Sequence, residues 1–187
     1  MKKFILALFA IVFIGCVYSC GGSTDTNSAT TDTETMGSAS MESATPDVKD
    51  WGYDTITDKM TDKAVVFRFL DSDNTVMQDE IYGETGGTIA VRSMNGANEV
   101  MFSIENGQIV GNDIDGSNYV NVRFDGEQPV RYYYNECNDL NSTTVFLKNA
   151  KKFIEKAKTA KRILIEVALF EAGNKVFEFS CDKPLTM

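Results

Sequence analysis

The sequence predicts a mainly β fold, an antiparallel β-sandwich or partly open barrel with one late helix. Three observations point there. Short runs of β-branched and aromatic residues alternate with a period of two. Turn signals such as Asn95-Gly96 and Asn106-Gly107 separate those runs at short, regular spacing. A single segment, near the end, carries apolar residues at helical spacing.

Taken in order, residues 64–70 (AVVFRFL) form the first strong strand, with Val65, Phe67 and Phe69 expected on the core face. Asp71 to Asn74 turn the chain. Residues 76–82 make a second strand, 83–87 a loop, and 88–94 a third strand with Arg92 opposite Ile89 and Val91. Beyond Asn95-Gly96, residues 99–104 turn Val100, Phe102 and Ile104 inward, and 108–110 begin a further short strand. Residues 119–125 (YVNVRFD) alternate most regularly: Val120, Val122 and Phe124 face the core, while Asn121, Arg123 and Asp125 face water. Residues 130–135 place Tyr132, Tyr133 and Tyr134 on both faces of the next strand. Residues 143–147 lead into the helix, where Leu147, Ala150, Ile154 and Ala157 recur with Phe153 beside them. Residues 162–170 and 175–180 close the chain as a hairpin around Gly173.

The N-terminal end carries an address. Lys2 and Lys3 precede an uninterrupted apolar run from Phe4 to Ile14, and Cys16 and Cys20 follow, each after a small residue. That is the grammar of an export signal, and the run is shorter than the roughly 20 apolar residues that span a bilayer. It resembles the bacterial lipoprotein signal, in which cleavage leaves an acylated cysteine at the start of the mature chain. Cys20, with Val17 three places before it and Gly21-Gly22 behind, fits that pattern better than Cys16, which has the bulkier Phe13. Residues 1–19 then form the signal peptide and Cys20 the lipidation site. Residues 20–50 form a Ser/Thr-rich tether with too little apolar surface to order itself, and 51–187 one domain. Gly21 carries no acidic retention cue, so the resemblance to Gram-negative lipoproteins implies an outer-membrane location.

Composition narrows the partners. The 187-residue chain has a formal charge of −9, and losing Lys2 and Lys3 with the signal makes it −11. Phosphate binding along a nucleic acid needs a basic footprint, so no nucleic-acid partner is expected. The chain has no histidine, which removes the commonest general base and metal ligand. No cofactor or metal is expected. Residues 111–116 suggest a calcium loop through Asp113, Asp115 and Gly116, but Gly111 and Val122 stand where its first carboxylate and bidentate Glu belong. Three acidic pairs, Asp71 with Asp73, Asp79 with Glu80 and Asp113 with Asp115, read as solvated loop residues rather than a hydrolytic dyad.

Two features remain for function. Cys137 and Cys181 are the thiols left after processing; an exported compartment favours oxidation, and the pair reads either as a bridge or as two buried free thiols. Residues 148–162 carry six lysines and one arginine against Glu155 alone, in a chain otherwise rich in acid. Either this is a solvated helix face, or Lys151, Lys152, Lys156 and Lys158 dock an anionic envelope partner, a glycolipid headgroup or an acidic protein patch. Arg92 and Arg123, with the tyrosines near 133, read either as a second contact surface or as ordinary cross-strand pairs.

The body also carries a pattern. Residues 88–92, then Val122 to Gly126 with Glu127 and Pro129, then Phe146-Leu147 before the Lys-rich helix, then Phe177 to Phe179, together resemble the envelope β-domain of type VI secretion accessory proteins of the TagO group. The resemblance implies an exported all-β module without catalytic residues. The expected function is therefore a lipid-anchored envelope protein with a non-catalytic binding or accessory role. An inhibitor, immunity or phage-exclusion protein that blocks an incoming effector is the alternative.

Overall fold

Nine strands join into one antiparallel sheet that folds over until its inner face packs against itself. The computed structural model describes residues 49–111, 118–137 and 142–187. The signal, Cys20, the tether up to residue 48 and the Asp113/Asp115 pair lie outside the described residues.

The strands are β1 (Gly52–Thr57), β2 (Ala64–Asp71), β3 (Val76–Met77), β4 (Glu84–Thr85), β5 (Gly87–Met94), β6 (Ala97–Ile104), β7 (Tyr119–Phe124), β8 (Val130–Glu136), β9 (Thr144–Leu147), β10 (Arg162–Leu169) and β11 (Gly173–Ser180), with one helix, α1 (Ala150–Ala157). The large sheet runs β1-β2-β5-β6-β9-β8-β7-β10-β11, and β3 and β4 form a separate small pair. The fold is thus mainly β and sandwich-like, with the barrel left open.

Alternation fixes which side is inside. Val120, Val122 and Phe124 on β7, Ile163, Ile165, Val167 and Leu169 on β10, and Phe177 and Phe179 on β11 are all buried. They meet Ile89, Val91, Val100 and Phe102 from the other half of the sheet. The fold-over is visible in one contact: Phe102 of β6 lies edge-on to Phe177 and Phe179 of β11, at centroid separations of 5.3 and 6.5 Å. Helix α1 plugs one end, with Phe153 edge-on to Phe124 at 5.2 Å and to Tyr132 at 5.7 Å.

Several sequence expectations need correction. In β2 the face that meets the shared core is that of Arg68 and Leu70, because Leu70 pairs with Ile89 and Arg68 with Val91; of the expected set Val65 is buried, but on the opposite face. Phe67 and Phe69 lie on the outer face, where Phe69 covers Gly52 so closely that a Cβ there would sit 2.3 Å from its ring. Residues 79–82 do not continue a strand, since Asp79 Oδ1 accepts the N–H groups of Ile81 and Tyr82 and turns the chain into the small hairpin. Residues 108–110 make only an isolated bridge, Ile109 to Leu169. Residues 144–147 are strand, seated between β6 and β8, and not a helical entry. Asn149, in a left-handed conformation (φ 60°), breaks the chain before the helix starts. The helix stops at Ala157, and Asp125 Oδ1 then accepts the N–H groups of Lys161 and Arg162 to start β10. The edge strand β1 is exposed almost throughout, so it lacks the apolar signal that marks the others. The body also begins before Trp51: Lys49 O accepts from Asp182 N, and Lys49 Nζ pairs with Asp73 at 3.1 Å.

Candidate functional site

The basic segment resolves into two unlike flanks of α1. Phe153, Ile154 and Ala157 are its buried side, and a rotation of about 100° per residue puts the lysines on either shoulder. Lys152 and Lys156 turn towards β8. Lys152 Nζ stands 6.0 Å above the Tyr132 ring, and Lys156 Nζ is clamped on Glu127 at 2.6 and 2.7 Å. Lys151 and Lys158 turn the other way, towards the β5–β6 hairpin.

On that second flank lies a shallow groove of about 330 Å³, lined by Asn98, Lys151, Ile154, Glu155, Lys158 and Met187. The local sequence builds each wall. The Asn95-Gly96 turn, with φ of 52° and 78°, brings Asn98 back beside the helix. Leu185, buried, donates its N–H to Ala157 O at 3.1 Å, satisfying a helix-end carbonyl and laying the tail along α1. Among the described residues, neither Lys151 nor Lys158 is ion-paired to a carboxylate.

A third cation is linked to the groove wall through Ser93 and Asn98, and sequence reasoning missed it. Arg68 Nη1 donates to Ser93 Oγ at 3.2 Å, and Ser93 Oγ donates to Asn98 Oδ1 at 2.7 Å. Arg68 Nε is buried and without a hydrogen-bond partner, while the Tyr53 ring lies 5.5 Å from the guanidinium. Such an orphaned charged donor costs free energy unless something answers it. Only the β2–β5 register, which sets Arg68 and Ser93 on one face, could have revealed this relay.

Chemically the groove can hold an anionic group by charge and amide contact above the apolar Ile154 and Met187. Glu155 on the same wall limits it to a localised anion rather than a continuous polyanion.

The remaining predicted residues do not join this site. Arg92 is held by Glu99 through both Nε and Nη2, and its guanidinium lies 5.7 Å from the Phe146 ring. Arg123 donates Nε to Glu127 O at 3.0 Å. The two arginines are four strands apart in the sheet, so they form no common surface. Near Tyr133 the prominent pair is instead Arg131 over the Tyr119 ring, at 4.2 Å.

Of the two readings of the thiols, the bridge is not formed: Cys137 and Cys181 are not joined. Cys181 follows β11 at the end of the sheet where β7 finishes, whereas Cys137 follows β8 at the end where β7 begins. The length of β7 alone, about 17 Å, lies between them, well beyond the roughly 7 Å a disulfide can span. Cys181 is buried, its thiol directed at Ala160 O at 3.7 Å, and burial pushes its pKa up.

In the two acidic pairs that lie among the described residues, three of the carboxylates have structural partners. Asp71 accepts from Thr88 Oγ1 at 2.7 Å, Asp73 pairs with Lys49, and Asp79 caps its turn. Among the described residues no three His, Cys, Asp or Glu side chains converge as a metal site, and no helix is long and apolar enough to cross a membrane. Compared with protein families, with curated proteins and with solved structures, the chain has no match.

Proposed function

We propose that this chain is a lipid-anchored cell-envelope protein, acylated at Cys20, whose β body is a non-catalytic docking module for an anionic envelope component. The observation that carries the docking half is the groove beside α1. There Lys151 and Lys158, without a carboxylate partner among the described residues, face outward from a chain of net charge −9. In so acidic a molecule, two ammonium groups facing the one Glu155 carboxylate over an apolar floor leave a local positive excess that steers a partner's anionic group to one place. The anchor rests on the N-terminal signal grammar, and the outer-membrane location on Gly21. Two or more acyl chains, at about 0.8 kcal/mol per buried CH₂, hold such a protein stably on its membrane. The resemblance to the TagO group supports an exported β module, and nothing of its secretion role is carried over.

A photoreactive residue at position 98, in place of Asn98, tests the docking half in intact cells. The reading expects one dominant crosslinked envelope component, lost when Lys151 and Lys158 are both changed to Glu. Crosslinking indifferent to that double change removes the groove from function. The anchor is tested separately: a fatty-acid probe should label the native chain and not Cys20→Ser.

A further inference from the structure

The large sheet has two edges, and among the described residues only one is covered. Along β11 the 73–74 loop covers the backbone: Asp73 N–H donates to Glu178 O at 2.6 Å, Asn74 Oδ1 accepts Glu178 N–H at 2.8 Å, and Asn74 Nδ2 donates to Val176 O at 3.0 Å. Along β1, among the described residues, no other segment does this. An uncovered edge is a template for another strand.

The ladder shows which groups that template offers. Ser72 N–H donates to Gly87 O at 2.7 Å, so even-numbered residues of β2 bond to β5 and odd-numbered ones to β1. Those odd residues pair with Gly52, Asp54 and Ile56, and the Asp58-to-Lys63 bond of 2.8 Å continues the same phase. Tyr53, Thr55 and Thr57 therefore aim their N–H and C=O groups away from the sheet. Among the described residues only Thr55 N–H is answered, by the neighbouring Asp54 Oδ1 at 2.8 Å. The strand is exposed at five of its six positions, with Tyr53 65% and Ile56 50% accessible.

We infer that β1 pairs antiparallel with β1 of a second copy of this chain, about a two-fold axis through Thr55. The register follows from charge. An axis through Asp54 sets that carboxylate against itself, and an axis through Ile56 sets Asp54 against Asp58 of the second copy; like charges directly opposite are destabilising. An axis through Tyr53 leaves Thr57 without a partner strand residue. Centring on Thr55 alone pairs all three outward-facing residues, with Tyr53 opposite Thr57 and Asp54 opposite Ile56. Asp54 must release Thr55 N–H for the strands to meet, so it guards the edge against looser pairings.

Site-specific oxidation of the full chain in its native membrane tests this, with the unsubstituted chain as background for Cys137 and Cys181. In a hydrogen-bonded pair the two Cα atoms at position 55 stand about 5.5 Å apart, within disulfide reach. Thr55→Cys should therefore double the apparent mass. Tyr53→Cys alone should not, because its two copies lie about 13 Å apart, whereas co-expressed Tyr53→Cys and Thr57→Cys should. Thr55→Pro removes an N–H that β2 does not use and should abolish association with circular dichroism unchanged. No doubled product from Thr55→Cys, equal yield from Tyr53→Cys alone, or a product carrying a different protein would each overturn the inference.

Discussion

Phe102 offers the sharpest energetic test of the folded-over sheet. It is fully buried on β6 and meets two β11 rings edge-on. Truncating a buried Phe to Ala ordinarily costs about 3 to 5 kcal/mol. Two edge-to-face partners, each contributing about 0.5 to 1.5 kcal/mol beyond burial, place Phe102→Ala at the upper end, about 4 to 5 kcal/mol. On a body of this size that lowers the melting temperature by about 15 °C. Phe146, half-buried on the outer face beside Arg92, is the control, with an expected cost of about 1 to 2 kcal/mol for Phe146→Ala. The milder pair Phe102→Leu and Phe177→Leu then isolates the contact itself. Urea unfolding of both singles and the double should give a coupling of about 1 kcal/mol with unchanged m-values. Zero coupling, or a Phe102→Ala cost no larger than that of Phe146→Ala, would refute the packing of β6 against β11.

Two further predictions concern titratable groups. Burial raises the pKa of the Cys181 thiol, so at pH 8 Cys181 should resist alkylation in the native protein and label only on denaturation; prompt labelling of native Cys181 contradicts the packing around Ala160. Tyr134 is buried, donates to Val110 O at 3.2 Å, and has its pKa pushed up to about 12, first by desolvation and then by Glu136. Because the folded form binds that proton more tightly, its contribution is intact below pH 10 and is lost as pH rises towards 12. Tyr134→Phe should flatten that alkaline loss in urea-unfolding titrations, and an unchanged slope would show that Tyr134 does not carry it.

Much of this architecture is legible in the sequence wherever one face of a strand is wet. On β7, Val120, Val122 and Phe124 alternate with Asn121 and Arg123, and the structure follows that alternation. On β2 both faces carry apolar residues, Val65 being buried on one and Leu70 on the other, so periodicity could not choose; pairing of Leu70 with Ile89 puts its face on the shared core, while Phe69 covers the bare Gly52 on the opposite one. Leu147 extended an apparent helical spacing only because Asn149, which breaks it, carries no apolar signal. In the site, the run of lysines is plain from sequence, and helical periodicity alone could have separated Lys151 and Lys158 from Lys152 and Lys156. Arg68 is different: its partner Ser93 is 25 residues away and meets it only through strand pairing. The same limit applies to Cys137 and Cys181, since spacing along the chain does not say which end of a sheet a residue occupies.

The groove is tested most directly by proximity capture in the intact envelope, comparing two charge-matched variants of the full chain. One carries Lys151→Glu and Lys158→Glu, and the other Lys152→Glu and Lys156→Glu. If the groove is the docking site, the first variant loses a captured partner that the second retains, with circular dichroism unchanged in both. If both variants keep the partner, or both lose it equally, the groove beside α1 is not what holds it.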